Sequence, residues 1–276
     1  MTNVSEQDLR DGWSDQEVAE AVRENPVWYH TMRLRRGIVT DGWFDLTTII
    51  DKLPWPEVRG KRCLDIGTYD GQLAFELERR GAAEVIATDV ASHEDWDWPP
   101  AVRAGGVEYL RQIAGVKGHG FDVAARALGS SVRKREISVY DLSPATVGTF
   151  DVVVCGSLML HLRDPLRALE AIRGVCEGMF MSCEQIDVAL TAWHRRLPLT
   201  NMSSIHNVQW HVPNLAGHRA MVRAAGFRIE RVIRPYSIPF GTSHPPVHAS
   251  ARARALCRLV TRGWGVPHSA LLARPA

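Results

Sequence analysis

The sequence predicts an α/β fold built on a seven-stranded, mostly parallel, doubly wound sheet. Short apolar runs alternate with amphipathic helical patterns through the middle of the chain, which is the signature of βαβ units. A glycine-containing turn, from Gly67 to Gly71, separates the first apolar run from the first helix. Ligands of doubly wound sheets bind at such turns. The 276 residues, 45% of them hydrophobic, suffice for a core of this size.

The elements of this core follow one another in a regular order. Each predicted strand is a short apolar run, and each predicted helix carries an apolar stripe, such as Leu73, Ala74 and Leu77 in the first helix. Pro165 suits the first turn of one helix, and Gly226 suits the end of another. The predicted strands are 63–66, 84–90, 132–140, 150–155, 179–183 and 227–233, and the predicted helices are 72–80, 121–128, 165–176 and 216–225.

A seventh strand is predicted over residues 247–255. Apolar residues alternate strictly with His and Arg or Ser through this stretch, which is the period of a half-exposed strand. We expect it to pair antiparallel with the strand 227–233.

Three regions lie outside this pattern and are expected to cover one end of the sheet: 1–57, 93–118 and 187–213. We therefore expect an N-terminal lid over residues 1–57. The ligand-binding domain would span residues 58–276, with a substrate-cap insertion at about 187–213.

Composition excludes several classes of protein. No apolar run approaches the roughly 18–20 residues of a membrane span, and the polar, acidic N-terminus does not resemble a signal peptide. The five cysteines show no CxxC spacing, which predicts reduced thiols in a cytoplasmic protein without a membrane partner. The net charge of +2 does not by itself indicate nucleic-acid binding.

The glycine turn differs from a dinucleotide-binding turn. Its pattern is G-x-x-x-G rather than G-x-G-x-x-G, and Asp70, directly before the helix, would repel a phosphate. A carboxylate there suits an ammonium or hydroxyl groups. Asp89, at the end of the second strand, can accept hydrogen bonds from a ribose, and Asp141 is expected to end the third strand, where an acid can meet an exocyclic amine. Ammonium, ribose and adenine amine together describe S-adenosylmethionine (SAM).

The motifs around these acids support this interpretation. LDIGTYDG and EVIATDV resemble motifs I and II of class I SAM-dependent methyltransferases, which have a Rossmann-like fold. WYHTMRL, FDVVVCGSLMLHLRDPLRALEAIR and WHVPNLAGHRAMVRAAGF resemble the tRNA (mo5U34)-methyltransferase-like group, which is related to the wobble-uridine carboxymethyltransferase. The predicted cofactor-binding residues are Tyr29, Asp65, Gly67, Thr68, Asp70, Gly71, Asp89, Val90, Asp141, Leu142, Cys155 and Gly156.

Candidate catalytic residues follow the fourth and fifth strands and lie in the insertion. His161 and His211 could each act as a general base towards an acceptor hydroxyl, and Glu184 is a third candidate. The alternative for His161 is a loop-orienting hydrogen bond. No spacing demands a metal, although His206, His211 and Glu184 could in principle hold one.

Acceptor-binding candidates come from the N-terminal segment and the insertion. They are His30, Trp43, His206, Trp210 and Asn214. Two alternatives remain open: the aromatic residues form a hydrophobic clasp against the core, and Asn214 caps the helix that follows it.

The function predicted is SAM-dependent O-methylation of a small molecule, such as a sugar or another specialised metabolite. A tRNA wobble-uridine modifying enzyme is the first alternative, and a non-catalytic SAM-binding protein is the second. Residues 1–24 are acidic, unlike the basic N-terminal region of the wobble-uridine enzyme, whereas ten arginines and the single acid Glu230 follow from Arg219 onwards. In a homodimer, the acidic N-terminal region of one protomer could form ion pairs with the arginines of its partner.

Overall fold

The computed structural model describes residues 12–106, 115–203 and 209–276. The strands are β1 (Trp28–His30), β2 (Arg33–Arg35), β3 (Ile38–Val39), β4 (Gly42–Phe44), β5 (Arg62–Ile66), β6 (Glu84–Asp89), β7 (Arg133–Glu136), β8 (Phe150–Gly156), β9 (Cys176–Gln185), β10 (Thr200–Asn201), β11 (Val212–Pro213), β12 (Phe227–Val232), β13 (Tyr236–Ile238) and β14 (Val266–Pro275). The helices are α1 (Asp15–Glu24), α2 (Gln72–Arg79), α3 (Pro100–Ala104), α4 (His119–Leu128), α5 (Pro144–Val147), α6 (Pro165–Val175), α7 (Val188–Trp193), α8 (Leu215–Ala224) and α9 (Ala251–Thr261).

The central sheet has the order β12-β14-β9-β8-β5-β6-β7, and β13 pairs with the first part of β14. The five strands from β9 to β7 in this order are parallel, whereas β14 runs antiparallel to both β9 and β12. The chain winds from β5 outwards in both directions, so the carboxyl ends of β5 and β8 meet at the switch point where ligands bind in such sheets. The predicted mostly parallel α/β sheet is confirmed.

The sheet separates two hydrophobic clusters. Alternate residues of β5 face opposite sides: Cys63 packs into the cluster beneath α2 and α4, and Leu64 into the cluster beneath α6. Both residues are fully buried. A strand buried on both faces reads as a continuous apolar run, which explains why its position could be predicted from the sequence.

The third predicted strand is shorter than expected. β7 ends at Glu136, and a 3₁₀ turn, Val139–Asp141, follows it. The Ser138 side chain accepts a hydrogen bond from the Tyr140 amide and thereby caps this turn. The prediction of a strand over 132–140 was therefore too long by several residues.

The seventh strand was predicted in the wrong place. Residues 251–261 form α9, whose first turn is capped by the Ser250 side chain and whose buried side carries Cys257 and Thr261. Ala and Arg are both strong helix formers, so their alternation is compatible with a helix as well as a strand. The strand that completes the sheet is β14, and it is antiparallel to β12 as expected of the seventh strand.

The N-terminal segment packs against the core. α1 and α4 are in contact, β1 pairs with β4, and Phe44 forms an isolated bridge with Phe240. The Trp28 indole donates to the Val22 carbonyl at 3.0 Å. Whether this segment moves as the predicted lid stays a prediction. Among the described residues, no helix is long and apolar enough to cross a bilayer.

Candidate active site

A tight turn joins β5 to α2 at the switch point. Gly67 and Gly71 have φ values of +71° and +93°, and Tyr69 is also left-handed at +49°. A Cβ on Gly71 would collide with the Phe75 ring, so only glycine fits there. The Gly67 and Thr68 amides both donate to the Thr88 carbonyl, at 2.9 and 3.1 Å, which ties this turn to β6.

Asp65 and Thr68 carry unpaired polar atoms inside the turn. Asp65 Oδ2 and Thr68 Oγ1 are buried and have no hydrogen-bond partner within the described part of the chain. Burial raises the pKa of the Asp65 carboxyl to about 7. A buried polar atom without a partner is unfavourable, and a bound ligand that donates hydrogen bonds would remove the cost. The site therefore fits a ligand that brings an ammonium group.

Asp70 has partners that differ from the predicted ones. Its Oδ2 accepts hydrogen bonds from the Tyr29 and His30 amides at 3.0 and 2.8 Å, and its Oδ1 pairs with His30 Nδ1. Both oxygens are thus occupied by β1, and Asp70 is almost completely buried. Asp70 and His30 thus link the N-terminal segment to the glycine turn, and their predicted contacts to cofactor and acceptor stay predictions.

Asp89 lies at the end of β6, as predicted. Its Oδ2 accepts from the Tyr69 amide at 3.0 Å, and its Oδ1 accepts from the Val90 amide at 2.8 Å and pairs with Lys117 Nζ at 2.8 Å. Lys117 is buried and also lies over the Tyr69 and Trp96 rings. A ribose bound to Asp89 would share this carboxylate with Lys117. Sequence analysis missed Lys117, because it lies in a segment without periodicity.

Asp141 and Leu142 do not occupy the predicted position. The strand β7 ends at Glu136, so Asp141 lies in the 3₁₀ turn beyond it, where its side chain is exposed. Leu142 is buried in the core. Aromatic rings are linked to Asp89 through Lys117, which pairs with Asp89 and lies over the Tyr69 and Trp96 rings; these two rings are 6.3 Å apart.

The loop after β8 contacts both Glu184 and the glycine turn. Glu184, near the end of β9, accepts hydrogen bonds from the Leu158 and Met159 amides at 3.3 and 3.2 Å. A Cβ on Gly67 would lie 3.3 Å from the Leu158 side chain, so this loop packs on the turn. Burial raises the pKa of the Glu184 carboxyl to about 8. Cys155 and Gly156, which end β8, lie beside Ser182 and Cys183 of β9.

The histidine candidates lie on the same loop and on the segment beside it. The Trp210 amide donates to the Leu160 carbonyl at 2.8 Å, which places the backbone of His211 next to that of His161. His211 Nε2 is buried and has no hydrogen-bond partner among residues 12–106, 115–203 and 209–276, and burial lowers the pKa of this imidazole. The Trp210 indole donates to the Asp97 carbonyl at 2.5 Å. All three catalytic candidates therefore belong to, or border, the loop 157–162.

The acceptor-binding candidate Trp43 lies in an aromatic group with Tyr29, a predicted cofactor-binding residue. Tyr29 contacts the Tyr69 and Phe44 rings at 5.2 and 4.8 Å, and Trp43 lies 6.3 Å from Tyr29. Burial raises the pKa of the Tyr29 phenol. These aromatic rings cover the turn.

Asn214 belongs to a different environment. It is fully buried; its Oδ1 accepts from the Gly217 amide at 2.7 Å and its Nδ2 donates to the His194 carbonyl at 2.9 Å. It caps α8, which was the alternative interpretation, and its polar atoms are used within the protein. His206 lies outside the described residues. Within the described ranges, no group of three potential ligands could hold a metal ion.

Sequence analysis also missed a serine–histidine pair. Ser157 Oγ lies 2.7 Å from His268 Nε2, and His268 Nδ1 lies 2.9 Å from the Val266 carbonyl oxygen. His268 belongs to β14, a strand that was not predicted, so no signal in the sequence placed it near the site.

Comparison with known proteins agrees with this geometry. A family described as "Methyltransferase domain" matches residues 45–232. A ubiquinone biosynthesis O-methyltransferase of Neisseria meningitidis serogroup C is 33% identical over 115 residues, which cover 42% of this chain and 39% of that protein. The chain thus matches only about two fifths of that relative's length.

Two solved structures are similar in fold. An S-adenosylmethionine-dependent methyltransferase from Mesorhizobium loti is 16% identical, with a TM-score of 0.48 and coverage of 80% of this chain and 93% of that chain. Magnesium protoporphyrin IX methyltransferase from Synechocystis PCC 6803 is 14% identical, with a TM-score of 0.47 and coverage of 79% and 75%. The match to residues 45–232 spans more than half of the chain. The chain belongs to the family described as "Methyltransferase domain".

Proposed function

We propose that the protein transfers a methyl group from SAM to a hydroxyl group of a small molecule. The observation that carries this proposal is the position of Glu184, His161 and His211 on or beside one loop, which packs on the glycine turn. Groups able to take or direct a proton therefore border the place where the cofactor would bind. A hydroxyl acceptor requires such a group, because its proton must leave as the methyl group arrives.

The cofactor would be held by groups from β5 and β6. The unpaired Oδ2 of Asp65 suits its ammonium, and Asp89 suits the ribose hydroxyls. The Tyr69 and Trp96 rings, next to Asp89, suit a planar base. When bound, SAM supplies a methyl group already activated by its sulfonium sulfur.

The protein's own contribution would be to orient the acceptor and to accept its proton. His211 is the first candidate base, because burial lowers its pKa and keeps the imidazole neutral, and because its Nε2 has no partner among the residues that the structure describes. Glu184 is protonated at neutral pH, since burial raises its pKa to about 8; there it would donate a hydrogen bond rather than accept a proton. His161 is the second candidate base, and Trp43 and Trp210 would line the acceptor side.

Two observations bear on the acceptor. The relative from Neisseria is named for O-methylation in ubiquinone biosynthesis, which supports transfer to oxygen. The alternative, modification of a tRNA wobble uridine, is supported by the motif resemblance and by the arginines of the C-terminal region.

The experiment is an incubation of the protein with methyl-labelled SAM and two separate acceptor pools, a deproteinised bacterial small-molecule extract and total tRNA. We expect label in the small-molecule fraction, and His211→Ala should reduce it by about 10²–10⁴-fold while leaving SAM affinity nearly unchanged. Label in tRNA would favour the alternative function. SAM binding without transfer to either pool would favour a non-catalytic role.

A further inference from the structure

The pair formed by Ser157 and His268 stands at the carboxyl edge of the sheet, on the side away from the cofactor acids. Ser157 is the first residue after β8, and His268 is the third residue of β14. Asp65 and Asp89 lie on β5 and β6, so the half of the edge formed by β8, β9 and β14 is left for the acceptor. Ser157 is partly exposed at this edge, whereas His268 is buried beneath it.

The hydrogen bonds of His268 determine its tautomer. The Val266 carbonyl can only accept, so the Nδ1 atom that lies 2.9 Å from it must carry the proton. In the neutral ring Nε2 is then an acceptor, and the Ser157 hydroxyl, 2.7 Å away, donates to it. The Cys183 carbonyl, 3.2 Å from Ser157 Oγ, is a weaker competitor for the same proton. With its proton directed to His268, Ser157 offers the lone pairs of its oxygen to the acceptor side.

We propose that Ser157 and His268, rather than His211, form the pair that accepts the proton of the methyl acceptor, and that His211 orients the acceptor oxygen. This inference rests on the proposed transfer to a hydroxyl group. The acceptor oxygen forms its bond to the methyl carbon while the bond from that carbon to sulfur breaks and leaves its electron pair on sulfur. The acceptor proton passes to Ser157 Oγ, and the Ser157 proton passes to His268 Nε2. The positive charge that leaves the sulfonium thus ends on the imidazolium, next to the Val266 carbonyl.

The surroundings of His268 fit a base that stays neutral until the reaction. The Tyr236 ring of β13 stacks on it at 5.9 Å, and Gln185 and Glu184 of β9 lie opposite His268 and Ser269. His218 of α8 interacts with it through charge, and burial lowers the pKa of His268 to about 4. At neutral pH the ring is therefore unprotonated and Nε2 is an acceptor, although the same burial makes His268 a weak base.

The chain contains a matched control for this pair. His218 contacts Ser182 Oγ through Nε2 at 2.9 Å and Ser269 Oγ through Nδ1 at 2.6 Å. The chemistry resembles that of Ser157 and His268, but both of these serines are fully buried. His218 has no exposed hydroxyl through which a proton could arrive, so its replacement should change stability and not the transfer step.

The first test is ¹⁵N NMR of the histidine side chains in the full chain with the demethylated cofactor bound, with His268→Gln used for assignment. We expect the Nδ1–H tautomer for His268 and no titration between pH 6 and 9. Ser157→Ala should shift the Nε2 resonance of His268 and leave that of His218 in place. An Nε2–H tautomer, or an unchanged resonance in the variant, would overturn the inference.

The second test measures methyl transfer to two hydroxyl probes, catechol and methyl glucoside. Ser157→Ala and His268→Gln should each lower kcat about 10²-fold or more at unchanged SAM affinity, Ser157→Thr should restore most of the rate, and His218→Gln should retain it. Normal turnover by Ser157→Ala would overturn the pair. If the wild-type protein methylates neither the two probes nor any extract, the proposed transfer to a hydroxyl group fails, and the role of the pair fails with it. If the wild-type protein methylates a probe and the variants do so at the normal rate, only the role of the pair fails.

Discussion

The Asp89 carboxylate has partners within the protein at the place where we propose that it binds the ribose. It accepts from the Tyr69 and Val90 amides, and it pairs with Lys117. Its identity could be predicted from its place at the end of β6, but its partners could not, because Lys117 arrives from a segment without periodicity. The position of Asp141 was predicted wrongly, because the prediction placed it at the end of a strand that in fact ends at Glu136.

We expect Asp89→Ala to weaken SAM binding by about 1–3 kcal/mol, or roughly one to two powers of ten in Kd, because a buried ribose loses its hydrogen-bond acceptor. Calorimetry with SAM and its demethylated product measures this. Asp141→Ala is the control and should bind normally, since its side chain is exposed. Unchanged affinity in Asp89→Ala would remove Asp89 from the cofactor site.

Glu184 should make stability depend on pH. Burial raises its pKa from an ordinary value of 4.5 to about 8, so the folded protein holds a proton that the unfolded chain has lost. This contribution to stability is present in full below the unfolded pKa, and it declines as pH rises until the folded pKa is passed. The decline is at most about 1.4 kcal/mol per pH unit.

Glu184→Gln should therefore flatten the fall in unfolding free energy between about pH 5 and 8. Denaturant titrations at several pH values measure it, and Glu177→Gln, at an exposed position on the same strand, is the control. Asp65 contributes in the same direction in both proteins, so the comparison of variant with wild type isolates Glu184. Parallel pH profiles for wild type and Glu184→Gln would contradict the raised pKa.

Among the elements, the strands buried on both faces were predictable and the C-terminal ones were not. Continuous apolar runs mark β5 and β8, whereas the Ala and Arg alternation before β14 suits either a strand or a helix. Tertiary packing decides between a helix and a strand here. Cys257 and Thr261 are both buried, and their separation of four residues is the spacing of one helix face. The error displaced the seventh strand and concealed His268.

A proline at Ala255 tests this assignment. In the interior of α9 it should cost about 3 kcal/mol, because the ring removes a backbone donor and collides with the preceding turn. Ala251→Pro is the matched control, since the first helical position tolerates proline and Ser250, at φ −64° and ψ 160°, already has the conformation that proline requires before it. Thermal unfolding of both variants measures the difference. Equal stability would argue against a helix.

At the scale of the molecule, the site is assembled from parts that are far apart in sequence. Asp70 binds the β1 backbone across about 40 residues, and Ser157 meets His268 across 111. The strand ends bring the cofactor acids together by topology, which is why their approximate location could be predicted. Contacts between a loop and a distant segment depend on side-chain packing, which no local pattern records.

The exposed arginines concern the whole molecule, because they decide between a small-molecule and an RNA acceptor. Arg252, predicted on a strand over 247–255, lies instead on the exposed part of α9 together with Arg258, about one and two thirds turns further along the same helix. A few phosphate contacts still give binding that falls steeply with salt.

We expect weak, non-specific tRNA binding that largely disappears between about 50 and 200 mM salt, because release of counterions drives it. A tRNA titration at several salt concentrations measures this, with methyl transfer to tRNA assayed beside it. Arg252→Glu with Arg258→Glu should abolish the residual binding, whereas Arg228→Glu, whose side chain is already paired with Glu230, should change it less. Sub-micromolar binding that persists at physiological salt, or methyl transfer to a wobble uridine, would instead establish RNA as the acceptor, because only a built interface keeps its affinity once the counterion contribution is removed.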